Sequence, residues 1–277
     1  MGIWQRLGNM DRRWVYLLVW LAVIIPLVFP AEFPISITPE ARQLYNAVEA
    51  LPESCVVLLT FDVYPNALAE TEPMARAALH HLFRKNIKVI TLTTIPLGGP
   101  SIAERVTREF ATLYGKTYGV DFVNLGYKPN YVSVLKGLGS SIASIYPTDN
   151  SGTPLEQLPL TQQVKSYADM KFIFVVTDNG IIDYWISIVN AQFNIPVGAA
   201  VTAVMAPKQY AYVGSGQMTG LLGGMKGAAE YEELVGKHSL ATTGMGIQSL
   251  VHFLLIVLIL LGNLGYFLGR REKRGKA

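Results

Sequence analysis

Two uncharged apolar runs bracket a long middle in which short apolar stretches alternate with amphipathic ones. The first run is Trp14 to Phe29 and the second is Ile247 to Leu268. At the helical rise, the second reaches about 33 Å, enough to cross a bilayer core, and the first only about 24 Å. Pro26 and Pro30 would bend or stop the first run near its end. A cleaved signal peptide is the competing reading of that run, since it has a basic start and an apolar core. The following "FPAEFP" is a poor small-x-small cleavage site, which favours an uncleaved anchor.

Within the middle, Ser54–Phe61 and Lys171–Thr177 are short and rich in branched residues, the pattern of strands covered on both faces. Ile87–Thr94, Asp121–Gly126 and Val197–Ala206 complete five strand candidates. Between them lie helical patterns. "TEPMARAALHHLFRKN" opens on Thr71, Glu72 and Pro73 and closes on Arg84 and Lys85. "PSIAERVTREFATLYGK", "YVSVLKGLGSSIASIY" and "GIIDYWISIVNAQFN" follow later strands. An earlier helix begins at Thr38 and Pro39. The turn-rich segment Tyr146–Gln163 reads as a long loop. This alternation predicts a three-layer α/β sandwich, Rossmann-like or flavodoxin-like, with a mostly parallel five-stranded sheet and a transmembrane helix at either end.

The organisation expected is a cytoplasmic tail (1–13), a transmembrane helix (14–30), an extracytoplasmic α/β domain (31–246), a second transmembrane helix (247–268) and a basic cytoplasmic tail (269–277). Charge supports that orientation. Arg6, Arg12 and Arg13 precede the first run, and Arg270, Arg271, Lys273, Arg274 and Lys276 follow the second. The tails carry about +6 together, leaving about −3 on the middle against the overall +3. The chain is 51% hydrophobic and 16% charged over 277 residues. Its basic excess belongs to the tails, so a nucleic-acid partner is not expected. The single cysteine, Cys55, forms no intrachain disulfide and reads as a structural thiol at the start of its strand.

In an open parallel sheet, ligands bind beyond the C-terminal strand ends. That rule selects Asp62 after the first strand, and Thr93, Thr94, Gly98, Gly99 and Ser101 after the second. It also selects Lys128 after the third and Asp178 and Asn179 after the fourth. "LGGPS" would offer backbone N–H groups to an anion, and Asp62 with Asp178 would suit a metal or sugar hydroxyls. Against a ligand site, Asp and Asn after strands commonly serve turns and caps. GxGxxG after the first strand, GxxxxGK[ST], GxSxG, CxxC and HExxH are all missing. Adjacent His80 and His81 point apart on a helix, and His252 lies in the second apolar run. No cofactor is named by any motif, and no catalytic signature appears.

The stretch 215–236, "SGQMTGLLGGMKGAAEYEELVG", reads as a glycine-rich helix. Gly216, Gly220, Gly224 and Ala228 are spaced by four, and Gly223 and Gly227 form a second row. Each helical glycine costs about 1 kcal/mol, and small-xxx-small rows permit close helix approach. The expectation is packing against another helix, within the chain or between chains. The functional reading is a structural or interaction subunit of a membrane complex, its partners the lipid bilayer and either further copies or other subunits. The alternative is a small-ligand-binding or hydrolytic domain that uses the crevice.

Overall fold

The computed structural model describes residues 11–29 and 34–274, with 269–274 as backbone course only. Arg6, Pro30 and Lys276, which the topology argument invokes, lie outside the described residues, as do the rest of 1–10, 31–33 and 275–277. The chain divides into two compact units, residues 35–241 and the flanking segments.

The flanking unit contains α1 (Arg12–Val28), whose start is capped by the Asp11 carboxylate accepting from Arg13 N. At 17 residues, with Pro26 in its last turn, α1 falls short of a bilayer core of about 30 Å. The expected pair of membrane helices is therefore corrected. Among the described residues, one helix is long and apolar enough to cross a membrane, the stretch Leu240–Leu268, whose most apolar 18 residues have mean hydropathy 2.3.

The α/β unit opens with α2 (Pro39–Glu49) and then alternates β1 (Val56–Asp62), α3 (Leu68–Arg84), β2 (Lys88–Thr93), α4 (Gly99–Leu113), β3 (Phe122–Tyr127) and α5 (Tyr131–Leu138). The segment read as a long loop carries short helical turns at Leu155–Gln157 and Pro159–Gln163. Then come β4 (Phe172–Thr177) and α6, which starts at Ile181–Tyr184, continues as a π-helical stretch at Trp185–Asn190 and ends at Ala191–Phe193. The unit closes with β5 (Val197–Val201), α7 (Ala206–Gly214), β6 (Leu221–Gly223) and α8 (Gly224–Val235). The long helix α9 (Leu240–Arg274) follows. It begins at Leu240 rather than at 247 because Glu232 accepts from Ser239 N and Ala241 N, satisfying donors that a helix start leaves open.

All six strands are parallel, in the order β3-β2-β1-β4-β5-β6. This is the Rossmann order, not the flavodoxin one, and its topological switch point lies between β1 and β4. Alternation along the strands divides two apolar layers. Leu58, Ile90, Val123, Ile173 and Val197 face a cluster with Trp185, Tyr146, Tyr167 and Ile182. On the other face Phe174 meets Tyr231 of α8, and Phe172 lies against Gly198 near Leu44 of α2.

The sixth strand corrects the reading of 215–236. This stretch is not one helix. Gly216 sits in a turn with φ +75°, Leu221–Gly223 pairs with β5, and only Gly224–Val235 is helical. The close approaches are made within the chain. A Cβ on Gly220 would lie 2.4 Å from the Leu44 amide nitrogen, on Gly223 2.8 Å from Ala206 Cβ, on Gly224 2.7 Å from Ala203 Cβ, and on Gly227 2.8 Å from the Leu222 carbonyl carbon. Ala228 is fully buried. Another helix is indeed the neighbour at Gly220, namely α2. At Gly223 the neighbour is the start of α7, at Gly224 the β5–α7 connection and at Gly227 strand β6.

One polar chain, buried at His81 and Tyr231 and open at Glu49, ties three helices on this face. His81 Nε2 lies 2.7 Å from Glu49 Oε2, and Nδ1 lies 2.7 Å from the Tyr231 hydroxyl. A carboxylate only accepts, so Nε2 carries the hydrogen and Tyr231 donates to Nδ1. Tyr45 stacks on the imidazole at 4.8 Å. Burial pushes His81 down to about 4, despite the Glu49 carboxylate, and Arg84 and Lys85 add to the depression. A depressed histidine contributes stability above its ordinary value of 6.5 and loses it as the pH falls towards 4. The expected loss over that window is up to about 3 kcal/mol. His81→Gln keeps a donor for Glu49 but does not titrate. The stability difference between wild type and His81→Gln should therefore shrink from pH 7 to pH 4 in denaturant titrations. A constant difference would show that His81 does not set the acid response.

Candidate functional site

Asp62 ends β1 and faces Thr177 of β4 across the switch point. Its side chain is fully buried. Oδ1 accepts from Thr94 N at 2.7 Å and from Thr94 Oγ1 at 2.7 Å, while Oδ2 accepts from Trp185 Nε1 at 3.1 Å. Burial raises its pKa, and the bonds from Thr94 and Trp185 oppose that rise. Its backbone carbonyl accepts from Thr177 Oγ1 and Asn179 Nδ2.

The neighbouring candidates are similarly engaged. Asp178 Oδ2 accepts from Tyr64 N at 3.1 Å, and Oδ1 accepts from Asn179 Nδ2 at 3.1 Å. Asn179 Oδ1 in turn takes Ile181 N at the start of α6. Asp62 and Asp178 thus serve separate hydrogen-bond sets instead of converging on one point. No group of three or more metal-ligating side chains converges among the described residues.

On the β2 side, Thr93 Oγ1 closes a turn by donating to Ile95 O and accepting from Ile95 N. Gly98 has φ +88°, and Ser101 Oγ donates to its carbonyl. A Cβ on Gly99 would lie 2.2 Å from Thr93 Oγ1 and 2.7 Å from Phe61 O. Its missing side chain lets α4 start directly over β1 and β2. Lys128 stands apart, its Nζ 5.8 Å from the Tyr146 ring centroid. The structure therefore groups Asp62, Thr94, Asp178 and Asn179 at the switch point and leaves Lys128 outside that set.

Two participants were not visible in the sequence. Trp185 reaches Asp62 from 123 positions away, and nothing in "DYWIS" marks it as a donor to β1. Glu70 occupies the first turn of α3, where a dinucleotide fold presents its phosphate-binding turn. Its Oε2 accepts from Ala203 N at 2.8 Å. A carboxylate at that helix start opposes an anionic ligand. The arrangement can hold the sheet edge shut and bridge β1, β2, β4 and β5. It places no pair of groups as acid and base about a reacting atom.

No known protein family matches the chain, and no curated protein is similar to it in sequence. Its Rossmann-like α/β architecture and its apolar C-terminal helix are what the sequence and structure establish together.

Proposed function

We propose that this chain is a membrane-anchored structural or interaction subunit of a membrane protein complex. The observation that carries the reading is the closed switch point. The Asp62 oxygens are taken by Thr94 and Trp185, and the β1 and β4 loops are bonded to each other through Tyr64, Asp178 and Asn179. A Rossmann-ordered domain with a self-satisfied crevice offers its surface rather than a pocket. α9 supplies the anchor. The basic residues after Leu268 favour the C-terminal end in the cytoplasm, with the domain on the other side.

Native mass of the gently extracted full chain tests this. The expected result is a defined oligomer or a stoichiometric partner chain. A lone chain that carries a small molecule would overturn it and favour the alternative, a ligand-binding or hydrolytic domain. One observation favours that alternative: a buried carboxylate of raised pKa stands at the switch point itself.

A further inference from the structure

The first and last residues of the α/β unit lie at the same edge of its sheet. At one end, Lys226 in the first turn of α8 donates from Nζ to the Ser36 carbonyl at 3.3 Å, and Thr38 Oγ1 donates to Glu230 at 2.6 Å. At the other, Leu240 lines a groove with Leu68, Ala69, Glu72 and Pro73, the first turns of α3. Helices α3 and α8 each follow a strand directly, so their first turns mark the C-terminal edge of the parallel sheet. The chain enters and leaves the unit there.

The surface of that edge differs from its opposite. Residues 63–69, 94–101 and 202–207 contain no charged side chain. They expose Tyr64 at 38%, Leu97 at 66% and Val204 at 89%. The three loops are contiguous. Gly98 backs directly onto Pro65, where a Cβ would lie 2.9 Å from Pro65 Cδ, and Ala203 is bonded to Glu70 of the α3 start. Charged groups flank the loops: Asp178 accepts from Tyr64 N, Glu70 accepts from Ala203 N, Lys128 lies over the Tyr146 ring, and Asp183 pairs with the exposed Lys208. The strand starts at the opposite edge are flanked by Glu53, Lys85, Lys88, Lys116, Asp121, Asp169 and Lys171. Single exposed apolar residues are ordinary on a soluble surface. Three on adjoining loops whose own residues are uncharged, at the edge where the apolar C-terminal helix departs, are a directed feature.

We propose that the C-terminal edge of the sheet rests on the lipid bilayer, with Tyr64, Leu97 and Val204 seated in its interfacial layer. This inference depends on the anchoring reading above. A chain that leaves this edge to enter the membrane helix α9 holds the edge at the bilayer surface, and three uncharged loops with aromatic and aliphatic tips suit that layer. The bilayer then covers the switch point from outside, and partner chains meet the helical faces or the charged edge.

The test places one fluorophore at a time on Leu97→Cys, Val204→Cys, Leu113→Cys or Val120→Cys, each in a Cys55→Ser background. The last two sites are exposed at the charged edge. The full chain is reconstituted in phosphatidylcholine nanodiscs that contain a doxyl-lipid quencher, and melting curves confirm folding of each variant. The expected result is lipid quenching at 97 and 204 at least ~3-fold stronger than at 113 and 120. Equal quenching at all four sites in a chain that incorporates would overturn the proposal alone. Shielding of 97 and 204 from both doxyl lipid and aqueous iodide would also overturn it, because a protein would then cover the rim. A chain that stays in the aqueous phase without nanodiscs would refute the anchoring reading and the proposal with it.

Discussion

Gly220→Leu is expected to destabilise the α/β unit by at least about 3 kcal/mol, the upper range for overpacking. The reason is backbone, not side-chain, crowding. A Cβ at 220 would lie 2.4 Å from the Leu44 nitrogen and 2.7 Å from its Cα. Neither atom can rotate away, so α2 must move off the sheet. Leu44 is fully buried, and Ala199 N donates to the Gly220 carbonyl beside β6, so the shift would disturb both the helix and the edge strand. Thermal melting of the full chain in detergent measures the effect. A glycine surface used between chains would give another outcome: an unchanged melting temperature with a smaller native mass. That result would return the glycines to an intermolecular role.

The same segment shows what periodicity can and cannot convey. Spacing by four at 216, 220, 224 and 228 satisfies a helical template, yet three residues, Leu221–Gly223, pair as a strand in its middle. Such a short edge strand has too few positions to display alternation. The positive φ values at Gly216 and Gly224 mark chain reversals that a helical reading cannot accommodate. The central strands were legible because each is a continuous apolar run, and β1 and β4 are buried at every position. Strand order was not legible. It depends on which crossovers cover which face, and both the Rossmann and flavodoxin orders fit the same alternation of elements.

At the switch point, the position of Asp62, Thr94, Asp178 and Asn179 followed from the rule that loops gather beyond C-terminal strand ends. Their partners did not follow, because each bond joins distant parts of the chain. Asp62 reads identically in sequence whether it faces solvent or an indole. The membrane reading had the same asymmetry. The apolar run before α9 ends is unmistakable, whereas the helix start at Leu240 depends on Glu232, a cap that the local pattern does not reveal.

Trp185→Ala should be the most damaging single change, at about 5 kcal/mol. Removing a fully buried tryptophan costs about 3–5 kcal/mol. It also strips Asp62 Oδ2 of its donor, a further 1–3 kcal/mol or so for a buried oxygen left unmet. Together these are comparable with the whole stability of an ordinary domain, about 5–15 kcal/mol. The packing and hydrogen-bond parts separate with Trp185→Phe, which keeps most of the volume and loses the N–H. Its expected cost is about 2 kcal/mol, and this cost should depend on pH. Asp62 is already raised by burial, and losing the indole donor raises it further. An acid whose folded-state pKa is raised is stabilising below its unfolded value and loses that contribution as pH rises through the folded one. The Trp185→Phe penalty should therefore be smaller near pH 4 than at pH 8, and Asp62→Asn in the same background should remove the difference. Paired denaturation curves of wild type, Trp185→Phe and the double variant across that range measure it. A penalty independent of pH would mean that Trp185 does not act on the Asp62 charge between pH 4 and pH 8.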